Sequence, residues 1–256
     1  MTELPLTEEF RAFSRTPHDA VSGGLLVARI IDPTTDVAWV RDELARHAAA
    51  VGTPASATAL VGYLQGAGFS GAEAYYHVDN SSLARVLESR RGIPITLALV
   101  VLGIAERLGL AGRGINFPRH FLVEVEGQMV DPFAMRLLDA AELARSLAAQ
   151  GHTPAAALAP ASPVDIVLRM LNNLRLIAQH RGETARALDL SGYQLLLAAD
   201  PLPLLIERVE LWLAAGVPDM ARHELDRAIA LAPDAAVRER LAARRLELSA
   251  VPPRVH

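Results

Sequence analysis

The first third of the chain repeats apolar residues at the spacing of an amphipathic helix. Between residues 37 and 50 apolar positions recur at helical intervals, and charged side chains fill the positions between them. Similar but weaker patterns precede and follow this segment. Ser81 and Ser82 then supply an N-cap for a further helix that runs through Glu88. The pattern predicts that this part of the chain is helical.

The longest uncharged apolar stretch follows directly, over residues 93–105, and spans 13 residues. Pro94 stands where proline is tolerated, in the first turn of a helix, and Gly109 supplies a stop signal after Leu108. A membrane span needs about 20 residues, so this stretch is too short to be one. We therefore predict a buried helix at the centre of a domain.

After Gly112 the apolar period shortens to the alternation of β-strands. Residues 113–117, 120–125 and 128–131 are short segments rich in β-forming residues. Glu126 and Gly127 separate the last two segments and predict a two-residue hairpin turn. We expect a small antiparallel sheet there, followed by a helix over residues 139–148.

The C-terminal part carries helical spacing again, with an internal repeat. A glycine and an alanine recur 34 residues apart, as the pairs Gly182, Ala187 and Gly216, Ala221. This period is that of the tetratricopeptide helix pair. The second copy fits the tetratricopeptide pattern better, because the first has Ser191 and Gln194 where small or apolar residues are expected. An ordinary helical bundle with a chance offset is the alternative.

Together these patterns predict an α+β protein in two parts. Residues 1–150 would form a mainly helical domain with the small antiparallel sheet. Residues 165–250 would form an all-α region of tetratricopeptide-like helical repeats. The stretch 151–164 is rich in alanine and proline and is the predicted linker.

Composition removes several classes of chemistry. The chain has no cysteine, and all 25 of its basic residues are arginine. It therefore offers no thiol nucleophile, no zinc thiolate site, no disulfide and no Schiff-base lysine. The 8 histidines include no pair at metal-binding helical spacing. We predict neither a metal nor a cofactor.

Charge and the N-terminal segment bear on partners and location. The net charge is −4, and the arginines are scattered among acidic residues, which argues against a nucleic-acid partner. The first residues include acids and arginines instead of the apolar core of a secretion signal. We expect a cytoplasmic protein that does not bind a membrane.

The predicted hairpin brings two chemistry-bearing side chains together. A two-residue turn pairs Val123 with Val130 and makes His120 and Asp131 diagonal neighbours on one face. At that separation a carboxylate can hold an imidazole nitrogen. A histidine oriented by an acid is the base half of a nucleophilic triad. A purely structural hydrogen bond is the alternative.

Four short motifs carry a family resemblance. They are Asn-Ser-Ser-Leu at residues 80–83, Arg-Gly-Ile-Pro-Ile-Thr at 91–96, His-Phe-Leu-Val-Glu-Val at 120–125 and Asp-Pro-Phe at 131–133. In this order they resemble the SirB family, bacterial proteins with a transglutaminase-like, papain-like N-terminal domain and C-terminal tetratricopeptide repeats. The resemblance covers nearly the whole chain. One departure is Arg119, where the family usually has glycine, and its side chain would crowd the approach to His120.

The resemblance also implies where a nucleophile would stand. In active transglutaminase-like proteins a cysteine opens the central helix, and a histidine and an aspartate follow on adjacent strands. In this chain the cysteine position falls on Pro94, which has no nucleophilic side chain and no N–H. Thr96 is the hydroxyl of the first turn and a candidate nucleophile. A hydrogen bond that a free helix N–H donates to that hydroxyl is the alternative.

Candidate binding residues are Asn80, Arg90, Arg91 and Arg119. Arg90 and Arg91 precede the central helix and could bind a carboxylate or phosphate together with its positive end. A solvated surface, or an ion pair with Glu88, is the alternative for these two arginines.

Two functions follow. The resemblance implies a non-catalytic interaction or regulatory protein that has lost its nucleophile and presents a helical-repeat surface to a protein or peptide partner. The alternative is a hydrolase or acyl-transfer enzyme that uses His120 and Asp131 with water or Thr96.

Overall fold

The computed structural model describes residues 4–117, 120–150 and 158–250. Arg119 and residues 151–157 of the predicted linker therefore lie outside the described residues. The chain divides into two compact units: Glu8–Asn173 is the first unit, and Met1–Thr7 with Leu174–His256 is the second. This division falls inside a helix, whereas the sequence-based boundary lies at 151–164.

Helices make up the first unit up to the sheet. They are α1 (Thr7–Arg15), α2 (Ala20–Ile31), α3 (Val37–Val51), α4 (Ala57–Gly66), α5 (Leu83–Ser89) and α6 (Pro94–Arg107), with a 3₁₀ turn over Val78–Ser81. Asp19, Asp36, Ser56 and Ser82 cap α2, α3, α4 and α5 by accepting a backbone N–H of the first turn. The helices predicted over 37–50 and from Ser82 through Glu88 are confirmed.

Helix α6 is the centre of the first unit, as its apolar composition predicts. It begins with Pro94, and the chain leaves it through Gly109 at a φ of +71°. Its close neighbours α2 and α3 require a residue without a side chain at Gly103. A Cβ there would lie 2.9 Å from Val21 and 3.1 Å from Leu44, inside ordinary contact distance. Gly103 therefore lets these helices approach closely.

The sheet of the first unit has five antiparallel strands in the order β6-β5-β4-β3-β7. Their bounds are β3 (Gly112–Ile115), β4 (Leu122–Val125), β5 (Gln128–Asp131), β6 (Arg136–Leu138) and β7 (Pro160–Ala161), and a separate parallel pair is formed by β1 (Ser70–Gly71) and β2 (Arg91–Gly92). Val123 pairs with Val130, and both turn residues, Glu126 and Gly127, have positive φ. The predicted hairpin and its register are confirmed.

Two edge strands were not predicted from the sequence. Strand β6 follows the Asp-Pro-Phe motif, and β7 lies inside the stretch predicted to be the linker. Proline at the start of an edge strand costs no ladder hydrogen bond, so Pro160 is compatible with β7. The alanine and proline content that indicated a linker therefore concealed a strand of two residues.

Both faces of the sheet are covered. On one face Val123, Val125 and Val130 are fully buried, and α6 contacts β3 and β4. On the other face a second apolar cluster joins the sheet to α7 (Ala140–Gln150). Its buried members are Ile115, Phe117, Leu122 and Leu147. The face that carries His120 and Asp131 is therefore partly enclosed by α7.

The second unit is helical in its described residues. The helices are α8 (Pro163–His180, which begins in the first unit), α9 (Thr184–Leu197), α10 (Leu202–Ala214), α11 (Pro218–Ala230) and α12 (Ala235–Ala250). Gly182 and Gly216 lie in the turns after α8 and α10, with φ of +71° and +74°. Across the described parts of both units, no helix has the length and apolarity needed to cross a membrane.

A buried ion pair of the second unit accounts for the polar side chain at Ser191. Arg208 and Glu224 are almost fully buried, and Arg208 Nε lies 2.7 Å from Glu224 Oε1. Arg208 Nη1 also donates to the hydroxyl of Ser191 at 2.5 Å and to the Leu188 carbonyl at 3.0 Å. A polar side chain at position 191 therefore satisfies a buried guanidinium.

Removing the charge of Glu224 should be costly, because it leaves Arg208 buried and unpaired. We expect Glu224→Gln to lower the free energy of unfolding by about 3–5 kcal/mol. Asp219→Asn, which removes an exposed partner of Arg222, is the matched control and should cost less than about 1 kcal/mol. Equal losses in urea denaturation of the two variants would contradict this reading of the pair.

A buried histidine lies in α3. His47 is 1% exposed, its Nδ1 is 2.8 Å from the Tyr63 hydroxyl, and its ring meets the edge of Phe69. Burial and the nearby charge of Arg46 lower the pKa of His47, although Glu43 opposes the shift. The folded protein therefore holds this imidazole in its neutral form.

Stability should consequently fall on mild acidification. Below the unfolded-state pKa of about 6.5 the unfolded chain binds a proton that folded His47 resists, so the loss can reach about 1.4 kcal/mol per pH unit. We expect His47→Gln to be less stable than the parent at pH 7.5 but to lose less between pH 6.5 and 5. His18→Gln, at an exposed position, should keep the parental slope. A parental slope in His47→Gln would show that other groups cause the loss.

Candidate functional site

His120 and Asp131 lie at one end of the β4–β5 hairpin with their side chains in contact. His120 comes just before β4, and Asp131 ends β5. The distance from His120 Nε2 to Asp131 Oδ1 is 3.0 Å. The diagonal contact expected from the two-residue turn is therefore present.

The same carboxylate oxygen also organises the turn after β5. The backbone N–H groups of Phe133 and Ala134 donate to Asp131 Oδ1 at 2.9 and 3.2 Å. Burial opposes ionisation of Asp131, but the hydrogen bond and charge of His120, with these two N–H groups, lower the pKa of Asp131 below its usual range. Asp131 thus fixes an imidazole and a turn together.

A cavity of about 130 Å³ lies beside the pair, between the sheet and α7. Apart from His120 and Asp131, its lining residues are Phe117, Leu122, Arg136, Leu138, Glu142, Leu143 and Ser146. Arg136 Nη1 donates to Glu142 Oε2 at 2.8 Å, so these two charges are already paired. At about 30 Å³ per water, the cavity has room for a few waters or one small polar group.

A larger cavity of about 540 Å³ lies near the C-terminal end of α6. Glu106, Gly109 and Gly112 are among its lining residues, whereas His120 and Asp131 are not. The described residues contain no group of three His, Asp or Glu side chains arranged to hold a metal. We centre the candidate site on the smaller cavity, because the His120 imidazole and the Asp131 carboxylate that line it are in hydrogen-bond contact.

Asp131 contacts Nε2 of His120 and leaves the second imidazole nitrogen, Nδ1, without a bond from this carboxylate. Among the described residues Nδ1 has no hydrogen-bond partner, and the His120 side chain is 30% exposed. If Nε2 carries the proton donated to Asp131, Nδ1 is an acceptor that water can reach. This half of a triad could take up a proton, but it needs a nucleophile to act on.

Pro94 and Thr96 do not line this cavity. Pro94 is buried as the first residue of α6, and Thr96 has no exposed surface. The Thr96 hydroxyl also has no hydrogen-bond partner in the described part of the chain, so the expected bond to a free helix N–H is not made. Pro94 has no N–H, and the Thr96 N–H already donates to Ile93, which leaves the first turn few free donors.

Asn80 holds a loop in place. Its Nδ2 donates to the carbonyls of Ala74 and Tyr75 at 2.7 and 3.3 Å, and its side chain is buried. Tyr75 and Tyr76 themselves are exposed. Asn80 therefore positions an aromatic loop.

Arg90 and Arg91 bind backbone carbonyls at the end of α4. Arg90 Nη1 donates to Ala67 at 2.7 Å, and Arg91 Nη1 donates to Gly68. Glu88 is paired with Arg85 instead, at 3.0 Å, so the expected ion pair between Glu88 and these arginines is absent from the described contacts. The free carbonyls after a helix attract cations, which accounts for the observed placement. Arg119 lies outside the described residues.

The turn that Asp131 organises docks on Gly71. The Gly71 N–H donates to the Phe133 carbonyl at 2.8 Å, and a Cβ on Gly71 would lie 2.3 Å from the Phe133 ring. The Phe133 ring centre is 6.4 Å from that of Tyr75. Only glycine leaves room for this ring, so the Asp-Pro-Phe turn and the aromatic loop are placed side by side.

Arg169, which no sequence pattern singled out, contacts the backbone of His120. Arg169 Nη2 donates to the His120 carbonyl at 3.0 Å, Nη1 donates to Asn116 Oδ1, and the guanidinium lies 5.4 Å from the centre of the Phe121 ring. It stands 49 residues after His120, in the stretch predicted to be helical repeat. No sequence signal separates it from other arginines of an exposed helix.

Comparison with known proteins defines the class of this chain. Residues 36–172 match the family model described as the transglutaminase-like superfamily. This match includes α3 to α6, the sheet, the His120–Asp131 pair and Arg169.

Comparison with individual proteins agrees over a longer stretch. A UPF0162 protein of Xylella fastidiosa is 32% identical over 90% of both chains, and one of Pseudomonas aeruginosa is 34% identical over 65% of this chain and 64% of its own. F-box only protein 21 of Homo sapiens is 29% identical over 56% of this chain, which covers 25% of that protein. No solved structure matches significantly. The chain belongs to the UPF0162 family of transglutaminase-like proteins.

The charge of Asp131 should affect how the free energy of unfolding changes at acidic pH. Because the folded pKa of Asp131 is lowered, its contribution is complete above its unfolded pKa of about 4 and is lost as the pH falls through the folded value. We expect Asp131→Asn to lower the free energy of unfolding at pH 7 by about 1–3 kcal/mol and to flatten its dependence on pH below 4.

The control for this experiment is Asp42→Asn, at an exposed position of α3. It should keep both the parental stability and the parental pH dependence in denaturant titrations from pH 7 to 3. If Asp131→Asn loses stability on acidification as steeply as the parent, the carboxylate is not the group that couples folding to pH in this range.

Proposed function

We propose that this protein is a non-catalytic transglutaminase-like module that acts in the cytoplasm by binding a protein or peptide partner, as an interaction or regulatory protein. The observation that carries the proposal is the start of α6. The position of the expected nucleophile is Pro94, the chain has no cysteine, and the Thr96 hydroxyl is fully buried. A base without a nucleophile does not perform acyl transfer.

The contacts of Asp131 support a structural use of the retained pair. One oxygen accepts from His120, Phe133 and Ala134 together, so the carboxylate is held by groups that shape the turn. The His120 backbone is also engaged, because its N–H donates to Phe117 and its carbonyl accepts from Arg169. The pair would then hold the hairpin and the adjacent turn in the shape that a partner meets.

The helices of the second unit support a binding role. We propose that they form tetratricopeptide-like repeats: Ala221, Leu225 and Ala228 are buried at that spacing, and the turn glycines stand 34 residues apart. The same unit exposes large apolar side chains at Leu231 and Leu246. Repeat surfaces of this kind bind other chains through such side chains.

One observation favours a hydrolase as the second candidate function. His120 Nδ1 has no hydrogen-bond partner among the described residues, and the adjacent cavity has room for water, so the imidazole could activate a water molecule. Thr96 has no exposed surface, which argues against that residue as the nucleophile. The enzymatic alternative therefore depends on water.

Activity assays separate the two functions. We expect the purified full chain to show no turnover of peptide, ester or amine-transfer substrates above the buffer rate, and His120→Ala to lose stability without any change in activity. His18→Ala, which removes an exposed histidine, is the matched control for both measurements. Turnover that disappears in a folded His120→Ala variant but persists in His18→Ala would establish the enzyme and overturn the proposal.

A further inference from the structure

Arg169 differs from the other deeply placed arginines of the chain. Arg208 faces Glu224 at 2.7 Å, and Arg175 faces Glu207 at 2.7 Å. Arg169 has no carboxylate partner among the described residues: its two recorded hydrogen bonds go to the neutral oxygens of Asn116 and His120. A partly buried cation without a counter-charge is costly, so it calls for an explanation.

The guanidinium of Arg169 is nevertheless held in a defined orientation. Asn116 and the His120 carbonyl each take one N–H, and the Phe121 ring lies beneath the group. Arginine has five N–H donors, so three remain for a ligand, which is enough for a two-point contact with a planar anion. Burial lowers the pKa of Arg169, and the effect is opposed only by Tyr75.

Besides Phe121, Tyr75 lies near enough to interact electrostatically with Arg169. Burial raises the pKa of Tyr75, while the nearby charge of Arg169 works in the opposite direction. The Tyr75 ring packs edge-on against Tyr76 at 5.3 Å, and these residues are 40% and 67% exposed. Tyrosine and arginine are among the residues that contribute most to binding energy in protein interfaces.

We propose that Arg169 anchors a carboxylate-binding site, in which a peptide places an acidic side chain or its C-terminal carboxylate on the guanidinium and a neighbouring residue against Tyr75 and Tyr76. The inference names the chemistry of the partner and rests on the proposed peptide-binding function. A single planar guanidinium matches a carboxylate in shape and charge, whereas a phosphate dianion needs further donors or cations. The guanidinium of Arg169 is oriented by Asn116, by the Phe121 ring and by the His120 carbonyl. Asn80 holds the loop that carries the tyrosines.

Four short peptides test the site on the full chain. Acetyl-Ala-Ala-Phe with a free carboxylate is compared with its amide, and acetyl-Ala-Glu-Phe amide is compared with acetyl-Ala-Gln-Phe amide. Binding is followed by NMR titration of the ¹⁵N-labelled protein, with inorganic phosphate as a competing probe. The first comparison detects a C-terminal carboxylate, and the second detects an acidic side chain.

We expect at least one carboxylate peptide to bind about tenfold or more tightly than its neutral match, with shifts at Arg169 Nε and in the amides of Tyr75 and Phe121. Arg169→Gln should remove this preference, and Tyr76→Ala should weaken both members of the pair. Arg113→Gln, an exposed arginine of β3 that pairs with Glu124, should bind like the parent. NMR chemical-shift changes in the parent protein locate the site even if Arg169→Gln does not fold.

Three results would overturn the inference: equal binding of the charged and neutral peptides, a carboxylate preference that persists in folded Arg169→Gln, or phosphate competing as well as the peptides do. Failure here is distinct from failure of the proposed function. A protein that shows no turnover and no carboxylate preference refutes only the site at Arg169. A protein whose turnover depends on His120, and which still prefers carboxylate peptides, refutes only the non-catalytic role.

Discussion

One oxygen of Asp131 joins the start of β4 to the turn that follows β5. It accepts hydrogen bonds from the imidazole of His120, before β4, and from two backbone N–H groups of the turn after β5. Without this acceptor the partly buried imidazole and the N–H of Phe133 would lose a partner, whereas the exposed N–H of Ala134 could turn to water. The carboxylate stays ionised because the donors outweigh its burial. The position of everything attached to this turn therefore depends on a single charged side chain.

Attached to this turn is the surface that we propose as the peptide site. The turn carries Phe133, whose ring rests on Gly71 and lies beside Tyr75. Asn80 fixes the same loop from behind through two carbonyls. The backbone carbonyl of His120 accepts a hydrogen bond from the Arg169 guanidinium. The acid, the aromatic loop and the arginine are thus linked through hydrogen bonds and ring packing within one compact unit, which gives the proposed peptide site a preorganised frame.

Local signals predicted most of the first unit and little of its periphery. Helical spacing, serine caps and the Glu126–Gly127 turn each act within a few residues, so α3, α5, α6 and the β4–β5 register could be read directly. From that register the contact between His120 and Asp131 followed. The edge strand β7 and the arginine contacts of α4 could not be predicted, because two-residue strands and long side chains are placed by tertiary neighbours rather than by sequence period. Arg169 was missed for the same reason: its partners lie about fifty residues away along the chain.

The two halves of the expected triad differ in what their loss would do to the fold. At the start of α6, where the family resemblance implies a nucleophile, proline has no structural cost, since the first position of a helix needs no N–H and favours its φ. Asp131 has no such substitute, because removing it would free an imidazole and two backbone donors at once. His120 is likewise held through its ring, its N–H and its carbonyl. The structure therefore tolerates proline at the start of α6, whereas the hairpin and its adjacent turn depend on the contacts of the His120–Asp131 pair.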